Sequence, residues 1–208
     1  MSVVRIAPIV EGHGDVAAAP ILLRRIWLEL CGGTYAHVER PIRLSRSKFV
    51  QENELRRAVR LAALKFASRT EPKAPQLILL LLDADMDCPA ELAPGLVKSA
   101  TQECATDSVA CVAANVEFET WFVAGASSLT EFLVLKPDEE IPTDPESQRL
   151  GKGWIQARTQ AARYSETVDQ PRMASRLNLR ICRDASPSFD KLCRELERLL
   201  PRDPESHP

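Results

Sequence analysis

Leu77 to Pro89 reads LILLLLDADMDCP. Its first half is a run of six aliphatic residues, Leu77 to Leu82, too short to span a bilayer and without polar alternation. Such a run is expected of a strand covered on both faces, the usual condition in a parallel sheet. The second half changes character at once, with Asp83, Asp85 and Asp87 at every second position. If the extended conformation continues for a residue or two, Asp83 and Asp85 point to one side at the carboxyl end of the strand. Ligands bind there in open α/β sheets. Carboxylates held this close raise one another's pKa, and a divalent cation with oxygen ligands is the common remedy. The stretch therefore predicts a Mg2+ or Mn2+ site at the end of a central strand.

On either side of this strand the chain alternates strand-length and helix-length segments. Val3 to Val10, VVRIAPIV, predicts a first strand, with Pro8 arguing for an edge position or a local irregularity. Glu11 to Asp15 is a turn with two glycines, and a helix follows with Asp15 as a candidate N-cap and Pro20 as a second candidate start. His37 to Leu44 is a weak strand broken by Pro41 and placed near an edge, and Ser45 to Ser47 is a polar turn. From Phe49 to Ala67, Leu55, Val59, Ala62, Ala63 and Phe66 recur at helical spacing. Glu71 to Pro75 is a turn that closes this unit, Pro89 to Cys104 predicts another helix, Val109 to Ala113 a short strand, and Phe118 to Ala124 a short helix. The pattern predicts an α/β fold with a Rossmann-like open, mostly parallel sheet. Beyond Ala126 comes an acidic loop with Pro137, Asp138, Glu139, Glu140, Pro142, Asp144 and Pro145, and then a mainly helical remainder. The expected division is an α/β domain over 1–125 and a helical C-terminal region over 126–208 packed on it.

A chain of 208 residues with a 45% hydrophobic and 27% charged composition affords a sizeable core. No basic, apolar and cleavage-site tripartite leader follows Met1, and no run is long enough for a membrane helix, so a cytoplasmic protein without membrane association is expected. Six cysteines include no CxxC pair and predict reduced thiols, with neither a disulfide framework nor a zinc site favoured. The net charge of -2 conceals a basic stretch from Gly151 to Arg202. Solvated helix faces with intrahelical ion pairs and a polyanion-binding surface explain that stretch equally well.

Three acidic clusters follow predicted strands: Glu11 with Asp15, Asp83 with Asp85 and Asp87, and Glu117 with Glu119. In a parallel sheet all three lie at one edge. Asp15 also fits a helix cap, Asp87 the turn before Pro89, and Glu117 a favourable charge at a helix N-terminus. Glu11, Asp83 and Asp85 are the candidate catalytic and metal-holding residues, with Asp15, Asp87 and Glu119 as further ligands. The segments VEGHGD at Val10 to Asp15 and LLLLDADMDCP at Leu79 to Pro89 together resemble the TOPRIM domain, in which one strand ends in Glu-Gly and a later one in DxD. That resemblance implies a Mg2+-dependent centre for phosphodiester chemistry, with Glu11 as ligand or acid/base residue and Asp83 and Asp85 as ligands. A narrower resemblance adds Glu119-Thr120-Trp121, Tyr164, TVDQP at Thr167 to Pro171 and SPSFDKL at Ser186 to Leu192. This set looks like the DUF4276 group of small TOPRIM-like proteins. It implies a nuclease or related phosphotransferase in phage defence or DNA repair, acting on nucleic acid, DNA before RNA, beside an ATPase partner.

Lys152, Arg183 and Lys191 are the candidate phosphate-binding residues, unranked among themselves. His13 reads more readily as an exposed turn residue than as a ligand or proton shuttle. Trp121 and Phe122 read as core rather than as a stacking platform. The chain lacks GxxxxGK[ST], a full GxGxxG, GxSxG and HExxH, which disfavours nucleotide-cofactor binding, serine hydrolase and zinc hydrolase chemistry. Two rivals stand beside the nuclease: a non-catalytic scaffold that binds an ATPase or nucleic acid, and a hydrolase of small phosphomonoesters.

Overall fold

The computed structural model describes residues 3–67, 74–102, 108–136 and 140–201. Glu71 to Lys73, Cys104, Pro137 to Glu139, Arg202 and His207 lie outside the described residues. Five strands, β1 (Val3–Val10), β2 (Tyr35–Val38), β3 (Ile42–Arg43), β4 (Gln76–Asp83) and β5 (Ser108–Ala114), form one sheet. Every pairing is parallel, in the order β2-β1-β4-β5, and β3 continues beside β1 where β2 stops. The fold is the expected α/β architecture.

β4 is the central strand because it has nothing polar to show until its end. Leu77, Leu79 and Leu81 pack into one core and Ile78, Leu80 and Leu82 into the other, each at most 2% exposed. Burying six such side chains contributes on the order of 10 kcal/mol of gross transfer free energy. The second core is roofed by α3 (Glu52–Ala67), through Leu55, Val59, Ala62 and Phe66, and by α4 (Pro89–Thr101), through Leu96 and Ala100. The first is covered by α1 (Asp15–Glu29) and by the C-terminal half, in which α5 (Glu119–Ala124), α6 (Lys152–Gln156), α7 (Glu166–Arg176), α8 (Leu179–Ala185) and α9 (Pro187–Glu197) succeed one another. Trp27, Phe122, Met173 and Phe189 belong to this single cluster, so helices beyond residue 126 complete the same face that α1 begins.

Several local expectations are corrected. Of the two readings of Pro8, the edge position does not hold, since β1 pairs on both sides, and the local irregularity does. Arg5 N donates toward the β4 side, to Pro75 O, while Ile6 O and Val10 O accept from Glu39 N and Leu44 N on the other. Alternation therefore turns the position of Pro8's missing N–H toward residues 39–41, the gap between β2 and β3, where no ladder bond is lost. The same gap, at Pro41, splits the expected weak strand in two. The helix expected from about Phe49 to Ala67 is α3, which begins at Glu52, and the expected turn at Ser45 to Ser47 is instead the N-cap and start of a short helix, α2 (Arg46–Phe49). Helix α1 starts at Asp15 itself and carries Pro20 inside it, with Gly14 at the N-cap. Cys31, Cys88, Cys111, Cys182 and Cys193 are free thiols. Among the described residues, no helix is long and apolar enough to cross a membrane.

The loop between β1 and α1 lies under α7. A Cβ on Gly14 would stand 2.1 Å from Gln170 Oε1 and 2.7 Å from the Glu166 carbonyl oxygen. Gln170 is buried and the other atom is backbone, so neither moves aside cheaply. Gly14→Ala is expected to lose about 2 kcal/mol, the usual scale of overpacking, in urea unfolding. A variant as stable as the wild type would show that α7 does not press on this loop.

Candidate functional site

The carboxyl edge of the sheet collects the acidic residues because all its strands run one way. Glu11 follows the last residue of β1, and Asp83 is the last residue of β4. Asp15 opens α1 and is 4% exposed. It does not cap the helix. It turns back, and its Oδ2 accepts from Gly12 N at 2.7 Å, closing the Glu11–Asp15 turn. Asp83 Oδ1 accepts from Phe118 N at 2.8 Å, which ties the end of β4 to the entry of α5. Glu119, on the first turn of α5, is 3% exposed. Its Oε1 accepts from Tyr164 Oη and Gln170 Nε2, both at 3.0 Å.

The DADMD segment does not stay extended. The strand stops at Asp83, Ala84 is buried, and Asp85 is exposed with φ 49, in the left-handed region. Ala84 N and Asp85 N donate to Ala114 O and Val116 O, which zips the turn onto the end of β5. Asp83 and Asp85 are therefore separated by a turn rather than aligned by strand periodicity. Asp87, 59% exposed at its side chain, is paired with Arg46.

Arg46 was not singled out from the sequence. Its Nη1 donates to Asp83 O at 2.8 Å, and its other nitrogen holds Asp87. The signal for it was the weak β3: once that pair is a parallel strand, the turn at Ser45 to Ser47 must fall at the same edge as the DxD. Arg149 is a second unforeseen cation, with Nη2 2.7 Å from Asp85 O. Lys152 approaches from the C-terminal half: its backbone N donates to Glu117 Oε2 at 2.7 Å, and its Nζ is paired with Glu166. Arg183 is held by Asp190 and Glu197, and Lys191 by Glu195. Those two cations are engaged on α8 and α9, so ion-paired solvated faces describe that part of the basic stretch. His13 is exposed, and Trp121 and Phe122 are buried in the core.

A second polar network anchors the C-terminal half. Glu146, 6% exposed, accepts at Oε1 from Ser188 N at 2.9 Å and Ser188 Oγ at 2.7 Å, and also from Ser186 Oγ. Trp121 Nε1 donates to Ser188 Oγ at 2.8 Å. The paired serines thus fasten α9 to α5, and with it the helix that carries Glu119.

The family model described as "Domain of unknown function (DUF4276)" matches residues 10–197. The chain belongs to the DUF4276 family. No curated protein and no solved structure matches it. The matched span of the DUF4276 chain begins one residue before Glu11 and ends with α9, so it takes in both the strand-end carboxylates and the C-terminal residues that hold Glu119.

The electrostatics of the DUF4276 site are dominated by burial, with neighbouring acids adding to it. Burial pushes the Asp83 carboxyl up to about 9, reinforced by Asp15, Glu119 and Glu11 and opposed by the Phe118 N–H. Burial also raises Glu119, against the hydrogen bonds from Gln170 and Tyr164 and the charge of Lys152. Burial raises Asp15 as well, against the Gly12 N–H. Glu11 is raised by burial, with Arg46 opposing and Asp85 adding to it, and its Oε2 is buried without a hydrogen-bond partner. Among the described residues, no three His, Cys, Asp or Glu side chains are drawn close enough to make a ready-formed metal site.

A carboxyl whose pKa is raised in the fold contributes stability fully present below its unfolded value and lost as pH rises through the folded value. For Asp83 that window runs from the ordinary carboxyl value of 3.8 to about 9. In EDTA, the melting temperature is expected to fall as pH is raised from 5 to 9. Asp83→Asn keeps an acceptor for Phe118 N without the charge, and should flatten that slope and raise the melting temperature at pH 8 by roughly 3–6 °C. Parallel profiles for the two proteins would contradict the placement of Asp83 among buried carboxylates.

Proposed function

We propose that this DUF4276 chain is a divalent-metal-dependent nuclease or related nucleic-acid phosphotransferase of TOPRIM type. The observation that carries the reading is the strand-end cluster of half-buried Glu11 and Asp83 with buried Asp15 and Glu119, and an unpartnered buried oxygen on Glu11. Acids in this condition fit a hard cation with oxygen ligands. Glu11 and Asp83 would hold Mg2+ or Mn2+, with Asp15, Asp85 and Glu119 within the same acidic edge. Asp87, paired with Arg46, would shape the turn. When bound, the metal supplies a lowered pKa for an attacking water and stabilises charge on the leaving oxygen.

The chain's own groups have distinct tasks in phosphodiester hydrolysis, in which water adds to phosphorus and one P–O ester bond breaks. Arg46, Arg149 and Lys152 stand around the cluster and offset the charge of an incoming phosphate. Tyr164 and Gln170 fix the Glu119 carboxylate by donating to one of its oxygens, leaving the other for the site. A TOPRIM-scaffold subunit without catalysis, binding nucleic acid or an ATPase, is the second reading. It is favoured by the lack of a ready-formed three-carboxylate site among the described residues.

Incubation of plasmid and single-stranded DNA with the protein, alone and with an ATPase encoded beside it, in Mg2+, Mn2+ or EDTA, separates the two. The nuclease reading expects cleavage that depends on the metal and falls at least a hundredfold in Asp83→Ala and Glu11→Ala. No cleavage under any of these conditions, or full activity in Asp83→Ala, supports the non-catalytic reading.

A further inference from the structure

A cavity of about 600 Å3 opens between α6 and the first turn of α7, within the size range of small-ligand pockets. Its wall carries two cations, Lys152 and Arg163, and two hydroxyl side chains, Ser165 and Thr167. Arg163 is exposed, and no described carboxylate pairs with it. Lys152 is paired with Glu166 on the same wall, at side-chain exposures of 48% and 36%. An ion pair as open as that stabilises little, and a phosphate oxygen can take the place of the Glu166 carboxylate at Lys152.

Tyr164 and Lys152 join the cavity to the acidic cluster. Tyr164 lines the cavity and places its hydroxyl 3.0 Å from Glu119 Oε1. Lys152 lines it too, and the backbone N of that residue binds Glu117 at the start of the same turn as Glu119. A basic, hydroxyl-bearing hollow beside a buried acidic centre has the polarity of a subsite for the unreacting part of an anionic substrate. The geometry points to this cavity as an anion subsite that takes a backbone phosphate of a nucleic-acid strand, next to the phosphate presented to the acidic cluster. The inference rests on the nucleic-acid reading above and adds where the strand lies. Arg163 and Lys152 hold the phosphate, Ser165 and Thr167 supply neutral donors, and Glu166 competes with it for Lys152.

The test is binding without chemistry, in EDTA, with two probes: a labelled single-stranded oligodeoxynucleotide read by fluorescence anisotropy, and inorganic pyrophosphate read by calorimetry. Arg163→Gln is expected to weaken the oligonucleotide about five- to tenfold at low salt and to reduce the salt slope by about one phosphate contact. Glu166→Gln releases Lys152 and is expected to tighten binding of both probes several-fold. None of the substituted side chains is buried, so the variants fold, and opposite signs from two neighbouring substitutions are not what general destabilisation produces. Oligonucleotide binding that is the same in wild type and both variants overturns the subsite and leaves the nuclease reading standing. Pyrophosphate binding that follows the expected order without any oligonucleotide binding overturns the nucleic-acid occupant and removes support from the nuclease reading as well.

Discussion

Asp83 sits, half-buried, where a strand covered on both faces runs out of apolar sequence, and the charges of Asp15, Glu119 and Glu11 add to the burial that raises its carboxyl. Most of what is distinctive in the chain is arranged around that constraint. The sheet must be parallel for the strand ends to share an edge. The turn after β4 must be zipped to β5 so that Asp83 can accept from Phe118 N. An isolated buried charge is costly, and neighbouring like charges add to the cost. A fold that keeps four acids here and leaves one oxygen of Glu11 without a partner carries a local instability that a bound cation would relieve.

The C-terminal half has a part in this beyond covering the sheet. Helix α7 presses Gln170 against the Gly14 turn and donates from the same side chain to Glu119, so one residue bears on both the β1 and the β5 sides of the site. Tyr164 adds a second donor to Glu119. Further along, Ser186 and Ser188 bind the buried Glu146 and Trp121, which fixes α9 against α5. The family match that runs to residue 197 is in keeping with a centre that needs these helices in place.

The fold was legible because its strongest signals were simple. Leu77 to Leu82 could only be a strand buried on both faces, and the alternation of strand and helix around it gave the parallel sheet and its carboxyl edge. What stayed hidden depended on individual backbone bonds. Pro8 signals an edge position or a local irregularity, and the structure shows the second: its missing N–H falls in the gap that Pro41 opens between β2 and β3. Period-two spacing suggested that Asp83 and Asp85 share a side, but a left-handed Asp85 ends the strand between them. Arg46, at the start of the short α2, and Arg149, in a turn, reach the site from positions that no periodicity encodes. The basic stretch divides the same way: the intrahelical pair of Lys191 with Glu195 is legible at i,i+4 spacing, while the pairing of Arg183 on α8 with α9 carboxylates is not.

The central claim is the proposal that Asp83, whose carboxyl burial and neighbouring acids push up to about 9, would hold a cation at this edge together with Glu11. A metal can bind them only as they ionise, so binding must expel protons. Calorimetric titration of the protein with Mn2+ near neutral pH, in buffers of different ionisation enthalpy, counts those protons directly. The account predicts binding with release of about one proton or more per metal ion, lost in Asp83→Asn. Mn2+ binding without proton release, or no binding at all in the wild type, would contradict it.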